Sequence, residues 1–210
     1  MGKFRIKHRP IKRTFDLLFS FLMLLVFFPV FLIIAIAIRL TSKGSPVYTH
    51  QRIGRGGKPF LCYKFRTMYA DADERLARLL DENPKLQKEW QQTRKLKDDP
   101  RITPIGRFLR KTSLDEFPQF CNVIRGDLSV VGPRPVVNEE IVNYYGEKAF
   151  KILSMRPGLT CLWQVSGRND VSYSKRVELD EQYIDNHSLL LDLNLILKTV
   201  PTIILSKGAY

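Results

Sequence analysis

The chain is poor in the residues that build metal sites and disulfide scaffolds. Of 210 residues, three are cysteine (Cys62, Cys121 and Cys161) and three are histidine (His8, His50 and His187). The cysteines have no paired spacing and no histidine nearby, which argues against both a disulfide framework and a zinc centre. A reducing, cytoplasm-facing domain is the plain reading. Acid is also scarce: 34 Lys plus Arg stand against 21 Asp plus Glu, a net charge of +13. Three partners fit such an excess: nucleic acid, anionic lipid headgroups or a phosphorylated substrate. No nucleic-acid motif accompanies it, which weakens the first. The sequence has no internal repeat and no low-complexity tract. It also lacks a Walker loop: Arg52, not glycine, stands six residues before Lys58, and Pro59 follows that lysine.

Charge is missing altogether from Leu17 to Ile38, where Ser20 is the one hydroxyl. The run is long enough to span a bilayer. It is longer than a signal-peptide core, and Ile38-Arg39-Leu40 is no cleavage site, so the segment is expected to be retained. Pro29 stands near its centre, where it removes a helix hydrogen bond and clashes with the carbonyl of Leu25. Both flanks are basic: Lys3, Arg5, Lys7, Arg9, Lys12 and Arg13 before the run, and Arg39, Lys43, Arg52, Arg55 and Lys58 after it. A straight span would put one basic flank on the wrong side of the membrane. A helix broken at Pro29, with both ends at one face, satisfies both flanks; a proline-kinked span is the alternative. Residues 1–43 are therefore read as a basic N-terminus and membrane helix. Residues 44–210 are long enough for one soluble domain with a real core.

The expected fold class is α+β, mostly helical, with a β-hairpin. Residues 46–69 read as two β-prone runs around the turn Gly54-Arg-Gly-Gly57. Residues 70–98 form a charged surface helix interrupted near Pro84, and 97–106 a loop. A short helix stops at Thr112-Ser113, a second starts there and ends before Gly126. Residues 128–135 are an extended run, 136–153 helical, 155–170 loop and short strands, and 173–187 helical. The tail at 189–205 is apolar but interrupted by Asp192, Asn194, Lys198 and Pro201. It fits an interfacial amphipathic helix, or a core helix, better than a span.

Ser113-Leu-Asp-Glu116 is the segment most suggestive of chemistry. Its bland reading is a capping box, with Ser113 as the cap and Glu116 reaching back. Its functional reading is two adjacent carboxylates at a helix start, preceded by Arg107, Arg110 and Lys111. Dipole and cations would then favour the ionised form. An ionised carboxylate near a divalent cation and a phosphoanhydride can attack phosphorus. Basic residues recur on separate segments: Lys64 and Arg66 with period two, Arg134 between two prolines, and Arg168 after Gly167. Together they suggest a diphosphate site, since arginine reads phosphate through a planar fork. Gln164 suits a nucleobase or sugar contact, or a turn. Trp163 suits the core better than a stacking platform.

These segments together resemble the bacterial sugar transferases, the monotopic phosphoglycosyl transferases. The matching stretches are RTFDLLFS with the proline-containing run, GSPVYTHQRIGRGGKPFLCYKFRTM, GRFLRKTSLDEFPQFCNVIRGDLSVVGPRP, RPGLTCLWQVSGR and LDEQYIDNHSLLLDLNLILKTV. The resemblance implies transfer of a sugar 1-phosphate from a UDP-sugar to polyprenyl phosphate, usually undecaprenyl phosphate, with release of UMP. It implies Asp115 as nucleophile forming a covalent phosphosugar, Glu116 as its partner, and Mg²⁺ at Asp115. Lys64, Arg110, Arg134 and Arg168 are the implied phosphate contacts, with Arg66 and Gln164 as further substrate-binding candidates. It further implies a re-entrant N-terminal helix at the inner membrane and a catalytic domain on the cytoplasmic face. The expected partners are UDP-sugar, polyprenyl phosphate and bacterial membrane lipid, without nucleic acid; a homodimer is allowed. One departure stands out: Cys161 occupies a position where many members carry glycine, which would strain the backbone if φ were positive there. A non-catalytic module binding anionic lipid is the competing class.

Overall fold

The computed structural model describes residues 9–93, 96, 99–167 and 171–204. The apolar run becomes helix α1, Pro10–Thr41. Pro10 opens it, where its fixed φ and missing N–H cost nothing. The expected break at Pro29 is not there: the helix continues through the proline. One lost hydrogen bond in a 32-residue ladder is a local defect, and packing holds the turns on either side. Phe27 and Phe31 both lie against Phe117, with ring centroids 5.2 and 5.5 Å apart.

Among the described residues, α1 is the one helix long and apolar enough to cross a membrane, and 11% of its most apolar stretch is buried. Leu18, Phe21, Leu25, Phe28, Ile33 and Ile36 are exposed along it. Yet both of its ends dock on the same body. Near the start, the Lys12 ammonium meets Asp192 at 2.7 Å, and Asp16 accepts hydrogen bonds from the Ser129 hydroxyl and the Val130 N–H. Near the end, Ile34 and Ile38 pack with Phe65 and Leu109 in one apolar cluster. Burying Ile38 alone is worth roughly 1.5–3 kcal/mol. From Lys12 to Ile38 is about 39 Å of helix at 1.5 Å per residue, so α1 lies along the domain rather than projecting from it.

Strands β1 (Val47–Ile53) and β2 (Pro59–Phe65) form the expected antiparallel hairpin, with Tyr48 opposite Lys64 and Arg52 opposite Phe60. Gly56 and Gly57 take φ of 72° and 75° in its turn, a region closed to most side chains. The charged stretch splits at Pro84 into α2 (Ala72–Glu82) and α3 (Pro84–Thr93). Helix α4 (Pro104–Thr112) starts inside the segment expected to be loop, because the Thr103 hydroxyl accepts from the Gly106 N–H and Pro104 fits the first turn. Helix α5 (Gln119–Arg125) ends on Gly126 in the left-handed region.

The extended run contributes β3 (Ser129–Val131), which pairs in parallel with β4 (Gly158–Thr160). Between them, α6 (Asn138–Glu140) runs into a π-helical turn at Ile141–Tyr145 and is followed by α7 (Lys148–Ile152). Helix α8 (Leu162–Val165) is a single turn where extended structure was expected. Helices α9 (Tyr173–Asn186) and α10 (Leu189–Ile204) complete the fold. The main core gathers Val123, Leu128, Val131, Tyr183, Ile184 and Leu195 around the β3–β4 pair. Helix α10 is amphipathic: Leu195 is buried in the core, while Leu190, Leu193, Leu197 and Val200 form an exposed apolar stripe at helical spacing. Cys161 has φ of −146°, ordinary extended backbone, so the non-glycine residue is unstrained there.

Candidate active site

Asp115 and Glu116 lie in one short 3-10 turn, Leu114–Glu116, between α4 and α5. The capping box is not formed. Ser113 takes a left-handed conformation (φ 55°) and closes α4 through its own N–H, while its side chain caps nothing. It is the one non-glycine residue with positive φ among the described residues. Its backbone reversal turns the following carboxylates toward β2. There the Lys64 ammonium meets Glu116 Oε1 at 2.6 Å and Asp115 Oδ2 at 3.9 Å. Arg110, in the last turn of α4, donates from Nε to the Thr67 hydroxyl at 2.9 Å, and its charge also acts on Asp115.

A cleft opens beside this pair, lined by Arg52, Lys64, Glu116, Arg134, Gly158 and Gln164 among others. Arg134 lies over the buried Trp163 ring, 5.2 Å from its centroid, a cation–π contact that holds the guanidinium beside the cleft. Trp163 is therefore a core residue, as expected, with Arg134 over its ring. The loop that carries Arg134 is held close to β4. The Gly158 N–H donates to Pro133 O at 2.8 Å, and Asp180 accepts from the Arg134 N–H. A Cβ on Gly158 would lie 2.1 Å from the Gly132 nitrogen, so the approach requires glycine. Gln164 turns its Oε1 into buried surroundings without a hydrogen-bond partner among the described residues. A buried acceptor left unpaired is costly, and a ligand donor in the cleft would satisfy it.

Electrostatics separate the two carboxylates. Burial, then repulsion from Glu116, pushes Asp115 up to about 6 against the pull of Lys64 and Arg110. The expectation that its ionised form is favoured is thus reversed for Asp115. It holds for Glu116: burial alone would raise it, but Lys64, Arg134 and Arg52 together hold it below the usual carboxylate range. Burial also pushes the Cys62 thiol up to about 11, which keeps it neutral in the cleft. Asp180, beneath Arg134, is pushed up to about 8 by burial.

Of the residues singled out from sequence, Lys64, Glu116, Arg134 and Gln164 line one cleft; Asp115 is buried beside it, 3.9 Å from Lys64, and Arg110 acts on Asp115 through its charge. Arg66 goes elsewhere. Strand β2 ends at Phe65, and the Arg66 guanidinium turns to the carbonyl of Lys43 at 3.4 Å. Arg168 lies outside the described residues. The sequence reading missed Arg52, which pairs with Glu140 at 3.8 Å and faces the cleft. The hairpin register held the signal: Arg52 stands opposite Phe60, four residue pairs from Lys64, an even offset that puts both on the same face. Gln119, which also lines the cleft, and Asp180, which accepts from the Arg134 N–H, had no local signature. Among the described residues, no cluster of three or more histidine, cysteine, aspartate or glutamate side chains could hold a metal. Asp115 and Glu116 do suit Mg²⁺, which commonly takes one or two carboxylates and completes its shell with substrate phosphates and water.

Residues 7–206 match the family model described as bacterial sugar transferase. The exopolysaccharide production protein ExoY of Rhizobium meliloti is 51% identical over 206 residues, covering 96% of this chain and 91% of that protein. The undecaprenyl-phosphate galactose phosphotransferase of Salmonella typhimurium is 47% identical over 203 residues, covering 96% of this chain and 42% of its own longer sequence. The UDP-glucose:undecaprenyl-phosphate glucose-1-phosphate transferase of Escherichia coli is 35% identical over 210 residues, 97% of this chain and 42% of that protein. With a paired-carboxylate cleft of this kind and a match along nearly its whole length, the chain belongs to the bacterial sugar transferase family.

Proposed function

We propose that this protein transfers a sugar 1-phosphate from a UDP-sugar to a polyprenyl phosphate at the membrane surface, releasing UMP, through a phosphosugar intermediate on Asp115. The observation that carries the reading is that Asp115 and Glu116 both lie within 4 Å of Lys64, at a cleft lined by Lys64, Glu116, Arg52 and Arg134. Cations on three separate segments suit a diphosphate. The relatives' names supply the donor and acceptor classes.

In the first half, an Asp115 oxygen attacks the sugar-bearing phosphorus. The P–O bond to the UMP phosphate breaks, and UMP leaves as the acyl phosphate forms. Raised basicity makes the ionised Asp115 the better nucleophile of the two carboxylates. Lys64 and Arg134 bind phosphate oxygens where negative charge builds up. In the second half, a polyprenyl phosphate oxygen attacks the same phosphorus, and the bond to Asp115 breaks, restoring the carboxylate. Asp115 and Glu116 would hold Mg²⁺, which supplies charge neutralisation for the diphosphate. Glu116, kept ionised by its cations, fixes Lys64 in place. Gln164 offers its unpaired carbonyl to a donor on the nucleotide or sugar.

The membrane arrangement follows from α1. Its two ends dock on one body, so a domain on the cytoplasmic side of the inner membrane would draw both ends there, and the exposed apolar face would enter one leaflet. Phe117, next to Glu116, packs between Phe27 and Phe31 on either side of Pro29. The catalytic turn is thus mounted on the membrane helix itself, where a lipid phosphate can reach it.

The test is Asp115→Asn. UMP release from UDP-sugars should fall by at least about a thousandfold, as for loss of a covalent nucleophile, while membrane association is unchanged. Wild-type protein given UDP-sugar and Mg²⁺ without acceptor should carry a phosphosugar, detected as an added mass. Absence of that adduct, with UMP appearing only once acceptor is present, would replace this scheme with direct transfer.

A further inference from the structure

A second cleft lies away from the catalytic pair, where the start of α1 meets the hairpin turn and the segment before β4. Five cations line it, Arg9, Lys12, Arg13, Arg55 and Arg156, with one acid, Asp16. That acid is already engaged by the Ser129 hydroxyl, the Val130 N–H and Lys12, the last at 3.7 Å. Lys12 is paired with Asp192 and Arg9 with His187. The remaining three guanidiniums have no carboxylate partner among the described residues. Arg13 donates to the carbonyls of Val123 and Ile124, and Arg156 spends only its Nε–H, on the carbonyl of Gly126 at 2.7 Å. Those bonds cap the end of α5 and leave most of the donors unused. Arg55 makes no hydrogen bond to a described residue. It is carried on a hairpin turn pinned to the domain by the Gly56 N–H donating to Leu153 O at 2.7 Å.

Such a cluster is unfavourable by itself. Burial, then the charges of Arg55 and Arg13, depress the basicity of Arg156. Like charges gathered without a counter-ion raise the energy of the folded state unless an anion compensates them. Exposed apolar residues neighbour the cleft's lining residues in the chain or by contact: Ile11 precedes Lys12, and Ile124 supplies the backbone carbonyl that Arg13 donates to. Ile11 also begins the exposed apolar face of α1. Cations beside apolar surface match a phosphate whose attached chains lie in a bilayer.

We propose that the cleft formed by Arg13, Arg55 and Arg156 is a phosphate-binding site, separate from the catalytic cleft, that holds the anionic headgroup of a membrane phospholipid at the start of α1. The ligand class is a phosphate ester bearing net negative charge. Arg55 supplies the free fork, and Arg13 and Arg156 supply the donors left over from capping α5. The site fixes one end of α1 at headgroup level and does not depend on the transfer chemistry.

The experiment uses the full chain in detergent, with phosphatidylglycerol, phosphatidylcholine or inorganic phosphate as probe. Native mass spectrometry counts retained lipid, and thermal shift reads inorganic phosphate. Arg55→Glu is the main variant, since this half-buried side chain makes no hydrogen bond or ion pair to a described residue, and Arg55→Gln separates loss from reversal of charge. Lys85→Glu, on exposed α3, controls for net charge. Wild type should retain one phosphatidylglycerol in preference to phosphatidylcholine, with retention roughly tenfold weaker in Arg55→Glu, less weakened in Arg55→Gln and unchanged in Lys85→Glu. A stabilisation by inorganic phosphate that Arg55→Glu loses, without any lipid preference, would support a phosphate site filled from solution. Equal losses in Arg55→Glu and Lys85→Glu, or binding of neither probe, would overturn the proposal.

Discussion

At the residue scale, Asp115 and Glu116 show how adjacency in sequence becomes a division of labour. Both carboxylates face Lys64, but Glu116 holds the shorter contact and the lower pKa. Asp115 is left buried beside a negative neighbour and rises to about 6. The sign follows directly. A nucleophile must be ionised, so single-turnover UMP release should fall as pH drops through about 6, well above the range of an ordinary aspartate near 3.9. The measurement is a pH–rate profile of the first half-reaction. A profile flat down to about pH 4.5 would show that Asp115 is not the titrating nucleophile, because at that pH a carboxyl of pKa about 6 is largely protonated. The pair was legible in sequence; its polarity was not. Dipole and preceding cations suggested ionisation of both. Burial of Asp115 and the pairing of Lys64 with Glu116 depend on where β2 passes, Lys64 being 52 residues from Glu116 in the chain.

At the scale of elements, the start of α1 is riveted to the domain by charge rather than by its apolar surface. Lys12, Asp16, Asp192 and Ser129 are all buried there, and the Tyr183 hydroxyl donates to Asp192 at 2.7 Å. A basic flank that reads from sequence as facing lipid headgroups is thus partly internal. Removing one member of a buried pair leaves the other uncompensated. Asp192→Ala should therefore lower stability by about 3–5 kcal/mol, seen as a reduced Tm in detergent. The double variant Lys12→Met, Asp192→Leu should recover much of that loss, since a well-packed apolar pair replaces a buried ionic one at little net cost. Equal losses in the single and double variants would mean that shape, not charge, holds this joint. The hairpin and α2 to α5 were largely legible, because proline, glycine and apolar periodicity mark them locally. The β3–β4 pairing was not: three-residue strands joined across 26 intervening residues leave no local pattern.

For the whole molecule, the decisive question is where the two ends of α1 lie. With Cys121, the exposed native thiol, replaced by serine, the buried Cys62 and Cys161 should stay silent. Single cysteines at Gly2 and Lys43 should then both react with a membrane-impermeant maleimide from the cytoplasmic side and neither from outside. Labelling of one end from each side would establish a true span and exclude the arrangement proposed above. The prediction rests on contact, not on Pro29. The proline raised the possibility of re-entrance, yet the helix runs through it, and docking of Lys12 and Ile38 on the same body constrains the topology instead.

The sequence by itself determined the long apolar helix, its basic flanks, the hairpin, the acidic pair and the family, because each is written in neighbouring residues or in a nearly full-length match. Only the tertiary structure decided which cations meet that pair. Lys64 and Arg134 arrive with Arg52, while Arg66 turns away because its strand has ended. It also decided that Ser113 reverses the chain instead of capping a helix, and that three arginines from distant segments share a second cleft without a carboxylate ion-pair partner among the described residues. The physical reason is the same in each case. Periodicity and turn chemistry act over a few residues, whereas charge, burial and pKa are set by whatever the fold brings within a few ångströms.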